Sequence, residues 1–148
     1  MIEFINASAK ACNIQTVITN SDQGIETQLN NLTQTENLPI MLISWDIDVN
    51  LSFDENGFLN TPSIPITALL MTKSPTLEKI DMEADAFKMG KFYTQFIQHL
   101  FGVLTPLQKG TYPAITDATY KLLPKYGMGK HSGVMCKWTM RIPFEINC

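Results

Sequence analysis

The 148-residue chain is poor in the residue types on which most protein chemistry depends. It contains three cysteines, two histidines and 17% charged residues, and its formal net charge is −3. Cys12, Cys136 and Cys148 are odd in number and include no CxxC pair, which favours reduced thiols over a disulfide framework, although one disulfide stays open. The chain also lacks the basic field that drives nucleic-acid binding, so we expect no sequence-specific binding to DNA or RNA.

Long apolar runs and linkers are missing as well. The first residues, MIEFINASAK, include an acid and no basic stretch followed by a long apolar segment, so no signal peptide is predicted. No window approaches the roughly 20 apolar residues of a membrane span. We therefore expect no membrane contact, with synthesis and assembly in the cytoplasm. Because no Pro/Gly/Ser-rich stretch divides the chain, we predict a single domain over residues 1–148.

Apolar and polar residues alternate strictly from Trp45 to Asp54. Side chains of a strand point to opposite faces in turn. The pattern therefore predicts a half-buried strand at the centre of the core. Its core face comprises Trp45, Ile47, Val49, Leu51 and Phe53, and its polar face comprises Asp46, Asp48, Asn50, Ser52 and Asp54.

Other segments have equally clear patterns. Helical spacing predicts a short helix over the first dozen residues, another over about 20–33, and a long helix from Ile80 to Leu104 that ends at Thr105-Pro106. The apolar stripe of the long helix is Ile80, Ala84, Phe87, Met89, Phe92, Tyr93, Phe96, Leu100, Val103 and Leu104. Strands are predicted over 14–19, 38–44, 66–72 and 134–146, with a turn at Asn56-Gly57. Residues 105–132 read as a long loop, apart from an extended 118–123.

Together these elements predict an α+β fold. We expect a mainly antiparallel sheet, with one long helix and shorter helices packed on its apolar face. In the closing strand, Val134, Cys136, Trp138 and Met140 alternate inward, while Lys137 and Arg141 point outward.

Three carboxylates on one strand face invite a chemical interpretation. Asp46, Asp48 and Asp54 suit a hard cation or an acid/base pair, but no further ligands are visible. A solvated face is the simpler interpretation, with Lys137 and Arg141 across from the carboxylates if the two long strands are neighbours. We therefore predict no metal, cofactor or catalytic site.

The histidines and the late glycines give no stronger chemical signal. A Cys136–His131 nucleophile pair is an alternative, but nothing in the sequence orients the histidine. His99 lies beside the apolar face of the long helix, where a packed or surface imidazole is expected. The stretch from Gly127 to Gly133 fails the phosphate-loop pattern and leads into a strand, so it is interpreted as a turn with a basic tip.

The order of these elements resembles that of tail terminator and neck proteins of tailed bacteriophages. The segments that carry the resemblance are LPIMLISWDIDVNLSF (38–53), SIPITALLM (63–71) and GVMCKWTMRIPFEI (133–146), and the likeness in layout and size covers most of the chain. It implies a structural virion subunit, assembled in the host cytoplasm, that forms a homo-oligomeric ring, commonly six-fold, and joins the tail tube to the neck. No enzyme activity and no cofactor are implied.

The resemblance also assigns expectations to particular residues. In a ring, Asp46, Asp48 and Asp54 are candidates for an acidic channel face that repels DNA. The 105–132 loop and the closing strand are candidates for contacts with neighbouring subunits or other tail proteins, through Lys130, His131, Lys137 and Arg141. Two alternatives remain: a small-molecule-binding domain or enzyme with a pocket under the 105–132 loop, and a monomeric adaptor for a partner protein.

Overall fold

The computed structural model describes residues 2–19, 39–44, 48–73, 78–108, 113–126 and 131–141. Within these ranges there are two α-helices, α1 (Ile2–Ala11) and α2 (Lys79–Leu104), and a 3₁₀ turn at Thr105–Leu107. The strands are β1 (Gln15–Thr19), β2 (Ile40–Ser44), β3 (Ser63–Lys73), β4 (Ile115–Tyr126) and β5 (His131–Arg141). The predicted helix over 20–33 lies outside the described residues, as does the end of the predicted closing strand.

The five strands form one sheet in the order β1-β2-β3-β5-β4. The α+β class is confirmed, but the sheet is mixed rather than mainly antiparallel, because β1 runs parallel to β2. A parallel pair needs a connection of a dozen or more residues to return to the same end of the sheet. The 20 residues from 20 to 39 are enough for such a connection. The direction of β1 could not be predicted, because the composition of a strand does not determine whether its neighbour runs parallel or antiparallel.

Strands β3 and β5 form the centre of the sheet and pair without interruption from Ser63↔Arg141 to Lys73↔His131. Alternation places Val134, Cys136, Trp138 and Met140 on the face that carries the helices, and all four are buried, as predicted. The opposite face has a smaller buried cluster of Ile40, Leu42 and Met71. The closing strand was therefore predicted correctly over its described part.

Helix α2 covers the sheet and confirms the predicted main core helix. Its buried positions are Met82, Ala86, Met89, Gly90, Tyr93, Phe96, Leu100 and Leu104. Tyr93 packs its ring against Tyr120 and Trp138 and donates a 2.8 Å hydrogen bond from its hydroxyl to the Lys137 carbonyl. Burial raises the pKa of this phenol, which keeps it protonated as a donor. The first three positions of the predicted stripe are wrong: Ala84 is exposed, and Ile80 and Phe87 are 80% and 58% exposed.

Helix α1 packs beside α2 rather than standing alone. Ile5 and Ala9 are fully buried in the main cluster, and Ser8 Oγ lies 2.9 Å from His99 Nδ1. His99 is thus an exposed residue that takes part in a helix–helix contact, in line with the packed or surface imidazole that was predicted.

The long loop predicted over residues 105–132 is wrong, but the extended segment predicted at 118–123 is confirmed as part of a strand. Strand β4 occupies Ile115–Tyr126 and pairs with β5 along most of its length. Its register shifts between Thr116 and Thr119 and again between Leu123 and Tyr126, and Asp117 has a φ of +56°. These bulges, together with Pro124, interrupt the period-two pattern by which a strand is recognised in a sequence.

Candidate interaction surfaces

Residues 48–63, between β2 and β3, form a projecting hairpin. Two isolated antiparallel bridges join its arms, Asn50↔Ser63 and Phe53↔Leu59. The tip is closed by Asp54, whose Oδ1 accepts hydrogen bonds from the backbone N–H groups of Asn56 at 2.9 Å and Phe58 at 2.8 Å. Gly57 has a φ of +81°, which a residue without Cβ adopts without strain. The Asn56-Gly57 turn was therefore predicted correctly.

Replacing Asp54 with Ala should loosen the tip without unfolding the domain, because these hydrogen bonds are local and exposed. We expect a loss of about 1 kcal/mol in the opening free energy of the tip, seen as roughly five-fold faster amide exchange across residues 54–58. Hydrogen exchange followed by mass spectrometry measures this. Asp54→Asn retains an oxygen acceptor and should preserve most of the protection. Unchanged exchange in Asp54→Ala would show that the side chain does not hold the turn.

The hairpin corrects the prediction of a central core strand at Trp45–Asp54. Trp45, Asp46 and Ile47 lie outside the described residues, and the remainder of that stretch is on the surface. Its large apolar side chains, together with those of the return arm, are between 44% and 70% exposed; they are Val49, Leu51, Phe53, Phe58 and Leu59. Clustered exposure of this kind is typical of a surface that another molecule covers. The alternation is present in the sequence, but the described core does not bury Val49, Leu51 or Phe53.

A second apolar surface lies between α2 and β4. Phe87 and Glu83 on the helix and Leu122 and Pro124 on the strand line a recess of about 280 Å³. Ile80, which is strongly exposed, lies seven residues before Phe87 and therefore on the same side of the helix. Both residues were predicted to lie in the core, because a helical apolar stripe has the same spacing whether the domain or a partner covers it.

Charged side chains are distributed unevenly around the two surfaces. The hairpin range 48–63 contains the acidic residues Asp48, Asp54 and Glu55 and no lysine or arginine. Lys121 and Lys125 are exposed on β4, and alternation directs them to the sheet face opposite Leu122 and Pro124. Lys137 of β5 is exposed on that same opposite face. The hairpin is thus apolar and acidic, the recess has the acid Glu83 in its lining, and the basic side chains of β4 and β5 lie on the other face of the sheet.

Of the three acidic residues predicted to share a strand face, two lie in the described hairpin. Asp48 is exposed, Asp54 caps the hairpin turn, and Asp46 lies outside the described residues. Asn50 is bridged to Ser63, and Ser63 in turn pairs with Arg141, so β3 separates the acidic arm from β5. The condition for placing Lys137 and Arg141 across from the carboxylates, that the two long strands are neighbours, is therefore not met in the described part of the hairpin.

The predicted interface residues lie in different environments. Lys137 is exposed and Arg141 is half-buried, whereas His131 is only 3% exposed and cannot present its imidazole at the surface of the chain. Lys130 lies outside the described residues. His131 and Cys136 are five positions apart in one strand and so point to opposite faces, which removes the geometry of a nucleophile pair. Burial also raises the pKa of the Cys136 thiol.

A second recess, also of about 280 Å³, is lined by Asn13, Pro39, Thr72, Asp85, Lys88, Met89 and Phe92. Both recesses are at or below the roughly 300–1,000 Å³ typical of small-molecule sites. Across the described ranges, no group of three His, Cys, Asp or Glu residues is placed to hold a metal ion. None of the helices within these ranges is long and apolar enough to cross a membrane.

Comparisons with protein-family models, with curated proteins and with solved structures found no match to this chain. The class of the domain is therefore defined by its own architecture, a mixed five-stranded sheet with helices on one face. Its most distinctive surface features are the apolar hairpin and the recess beside β4.

Proposed function

We propose that this protein is a structural subunit of a bacteriophage tail or neck, a ring-forming tail terminator that joins the tail tube to the neck. The observation that carries the proposal is the projecting hairpin, with five large apolar side chains at least 44% exposed. A monomer gains nothing from leaving such a surface in water, whereas a subunit buries it on assembly. The element order of tail terminator and neck proteins, which the sequence resembles, supports the same proposal.

In this role Asp48 and Asp54 remain candidates for a channel-facing surface. Both lie on the hairpin, and carboxylates along a channel repel the phosphates of passing DNA. Lys137, exposed on the outward face of β5, remains a candidate for contact with a neighbouring subunit or another tail protein. The alternative of a small-molecule site under residues 105–132 has less support, because strand β4 occupies residues 115–126 of that range.

The test is self-assembly of the full chain. We expect light scattering to detect oligomers that grow with protein concentration, and negative-stain electron microscopy to show closed rings of uniform diameter. Because assembly can require the tube as a template, the same protein is also mixed with tail tubes of the phage that encodes it, where we expect density at the tube ends. A chain that stays monomeric at the highest concentration and leaves the tube ends bare contradicts the proposal.

A further inference from the structure

We infer that the second recess, lined by one side of α2 and by Asn13, Pro39 and Thr72, binds a small zwitterion, an α-amino acid with an apolar side chain. In this site the Asp85 carboxylate pairs with the ammonium group of the ligand, and the Lys88 ammonium group pairs with its carboxylate. The inference is independent of the proposed function, because the recess shares no residue with the hairpin.

The second recess lies at one end of the sheet, beside the first half of α2. Strands β1 and β2 begin at this end and β3 finishes there, because β1 runs parallel to β2 and β2 runs antiparallel to β3. The turn after α1 supplies Asn13, the start of β2 supplies Pro39, and the end of β3 supplies Thr72. Several elements that are distant in the sequence therefore meet at one site.

The walls of the second recess are fixed by the fold. Pro39 and Met89 are buried, and the Pro39 carbonyl accepts a 2.9 Å hydrogen bond from the Gln15 N–H group. Asn13 has a φ of +57°, and its N–H group donates a 3.1 Å hydrogen bond to the Lys10 carbonyl. Asparagine is one of the residues that adopt this conformation where a helix ends. A recess that is formed before binding lowers the entropic cost of holding a ligand.

Two opposite charges line the second recess without pairing with each other. Asp85 and Lys88 are three residues apart on α2 and are therefore neighbours on the helix surface. Within the described ranges, neither side chain forms a hydrogen bond or an ion pair, whereas Lys79 and Glu83 of the same helix do pair. Asp85 is also half-buried. A ligand that carries both charges complements this lining, whereas a simple anion or cation complements only half of it.

The spacing of the charges favours a compact zwitterion. Side chains at positions i and i+3 of a helix start about 5–6 Å apart, and the ammonium and carboxylate groups of an α-amino acid are attached to one carbon atom. A single ligand can therefore reach Asp85 and Lys88 together. The Asn13 amide and the Thr72 hydroxyl each offer a donor and an acceptor for the remaining hydrogen bonds of the two groups.

The apolar part of the lining selects the side chain of the ligand. Phe92, Met89 and Pro39 provide it, and the second recess has a volume of about 280 Å³. A cavity of about 150 Å³ is enough to hold benzene, so a side chain of the size of leucine fits together with the two charged groups. Sites for drug-sized ligands start near 300 Å³. The volume thus suits a free amino acid better than a larger ligand.

The deciding experiment titrates the full chain with L-leucine, followed by saturation-transfer-difference NMR, which works for a monomer and for an assembled ring alike. Two analogues serve as matched ligands: 3-methylbutylamine lacks the carboxylate of leucine, and 4-methylpentanoate lacks its ammonium group. We expect saturable binding of L-leucine and at least about ten-fold weaker binding of each analogue, because each loses one charged hydrogen-bonded pair. Equal binding of the three compounds, or no saturable binding of L-leucine, overturns the inference.

Variants of the two charged residues locate the site. Asp85→Asn and Lys88→Gln should each weaken L-leucine binding at least about ten-fold. Lys91→Gln is the matched control, because Lys91 is exposed on the same helix and is not among the residues that line the recess. It should bind L-leucine as the parent does. Asp85→Asn and Lys88→Gln variants that keep the parent affinity place any binding elsewhere and overturn the inference.

The outcomes separate this inference from the proposed function. Rings that do not bind L-leucine overturn the inference alone. Binding of L-leucine by a chain that stays monomeric and leaves the tube ends bare overturns the proposed function and leaves the amino-acid site standing.

Discussion

Gly133→Ala should abolish stable folding. Gly133 lies on β5 between β3 and β4, where it pairs with Met71 on one side and Leu123 on the other. A Cβ at this position would lie 2.0 Å from the Leu70 carbonyl oxygen and 2.9 Å from the Met71 Cα. Even a close carbon–oxygen contact between strands is about 3.3 Å. The obstructing atoms are backbone, so relief requires the two central strands to separate by about 1 Å.

Because β3 and β5 pair along their whole length, such a separation disrupts hydrogen bonds across the centre of the sheet. We expect a loss of more than about 4 kcal/mol, which is a large share of the 5–15 kcal/mol that stabilises a typical domain. Urea denaturation followed by tryptophan fluorescence measures the change. If the variant does not accumulate as folded protein, it can be refolded from denaturant, and its far-ultraviolet circular dichroism should then lack the helix and strand signal of the parent.

Gly102→Ala is the matched control, since it adds the same methyl group near the end of α2. A Cβ there meets no atom within 4 Å. Alanine is favoured over glycine inside a helix by up to about 1 kcal/mol, so this variant should be slightly more stable than the parent. A Gly133→Ala variant as stable as Gly102→Ala would mean that β3 and β5 are not paired in the described register.

The sequence predicted secondary structure and burial correctly where the apolar residues of a periodic pattern are buried by the domain itself. The alternation in β5 and the apolar run of β2 each correspond to a buried strand, and the end of α2 lies at Leu104, as the following Thr105-Pro106 predicted. In these elements local preference and tertiary packing agree, so a one-dimensional pattern carries enough information.

The prediction of a core strand at the hairpin was wrong for a physical reason. A strand that contacts a core and an arm that contacts a neighbouring molecule bury apolar side chains with the same period of two. The pattern of Val49, Leu51 and Phe53 therefore cannot say which body covers it. For the same reason, Ile80 and Phe87 were predicted to lie in the core, although they are exposed on the surface of α2.

Only residues 118–123 of strand β4 were predicted as extended, because the geometry of the strand is irregular. The two register shifts and the positive φ at Asp117 change which side chains face inward, so no single period extends from Ile115 to Tyr126.

The order and direction of the strands also could not be predicted from the sequence. The parallel pairing of β1 with β2 depends on where the chain returns after residue 19, which local preference does not encode. The recess beside β4 could not be predicted without that strand.

Phe96→Ala should cost the core about 3–5 kcal/mol, the usual range for removing a fully buried phenyl ring. Phe96 is fully buried in the main cluster, and its ring packs edge-to-face on Trp138 with centroids 5.5 Å apart at 70°. The loss combines the transfer of the ring to water, the cavity left behind and the aromatic pair itself. For a domain of this size we expect the melting temperature to fall by roughly 10 °C or more.

Phe101→Ala provides the matched comparison, because it makes the same chemical change in the same helix and therefore the same change in helix propensity. Phe101 is 41% exposed, so its loss should be about 1 kcal/mol or less. It also lies outside the hairpin and the recess, so assembly does not confound the comparison. Both variants should be melted at one fixed protein concentration, since oligomer formation makes the melting temperature depend on concentration. Equal losses for the two variants would place Phe96 outside the packed centre and contradict the seating of α2 on the sheet.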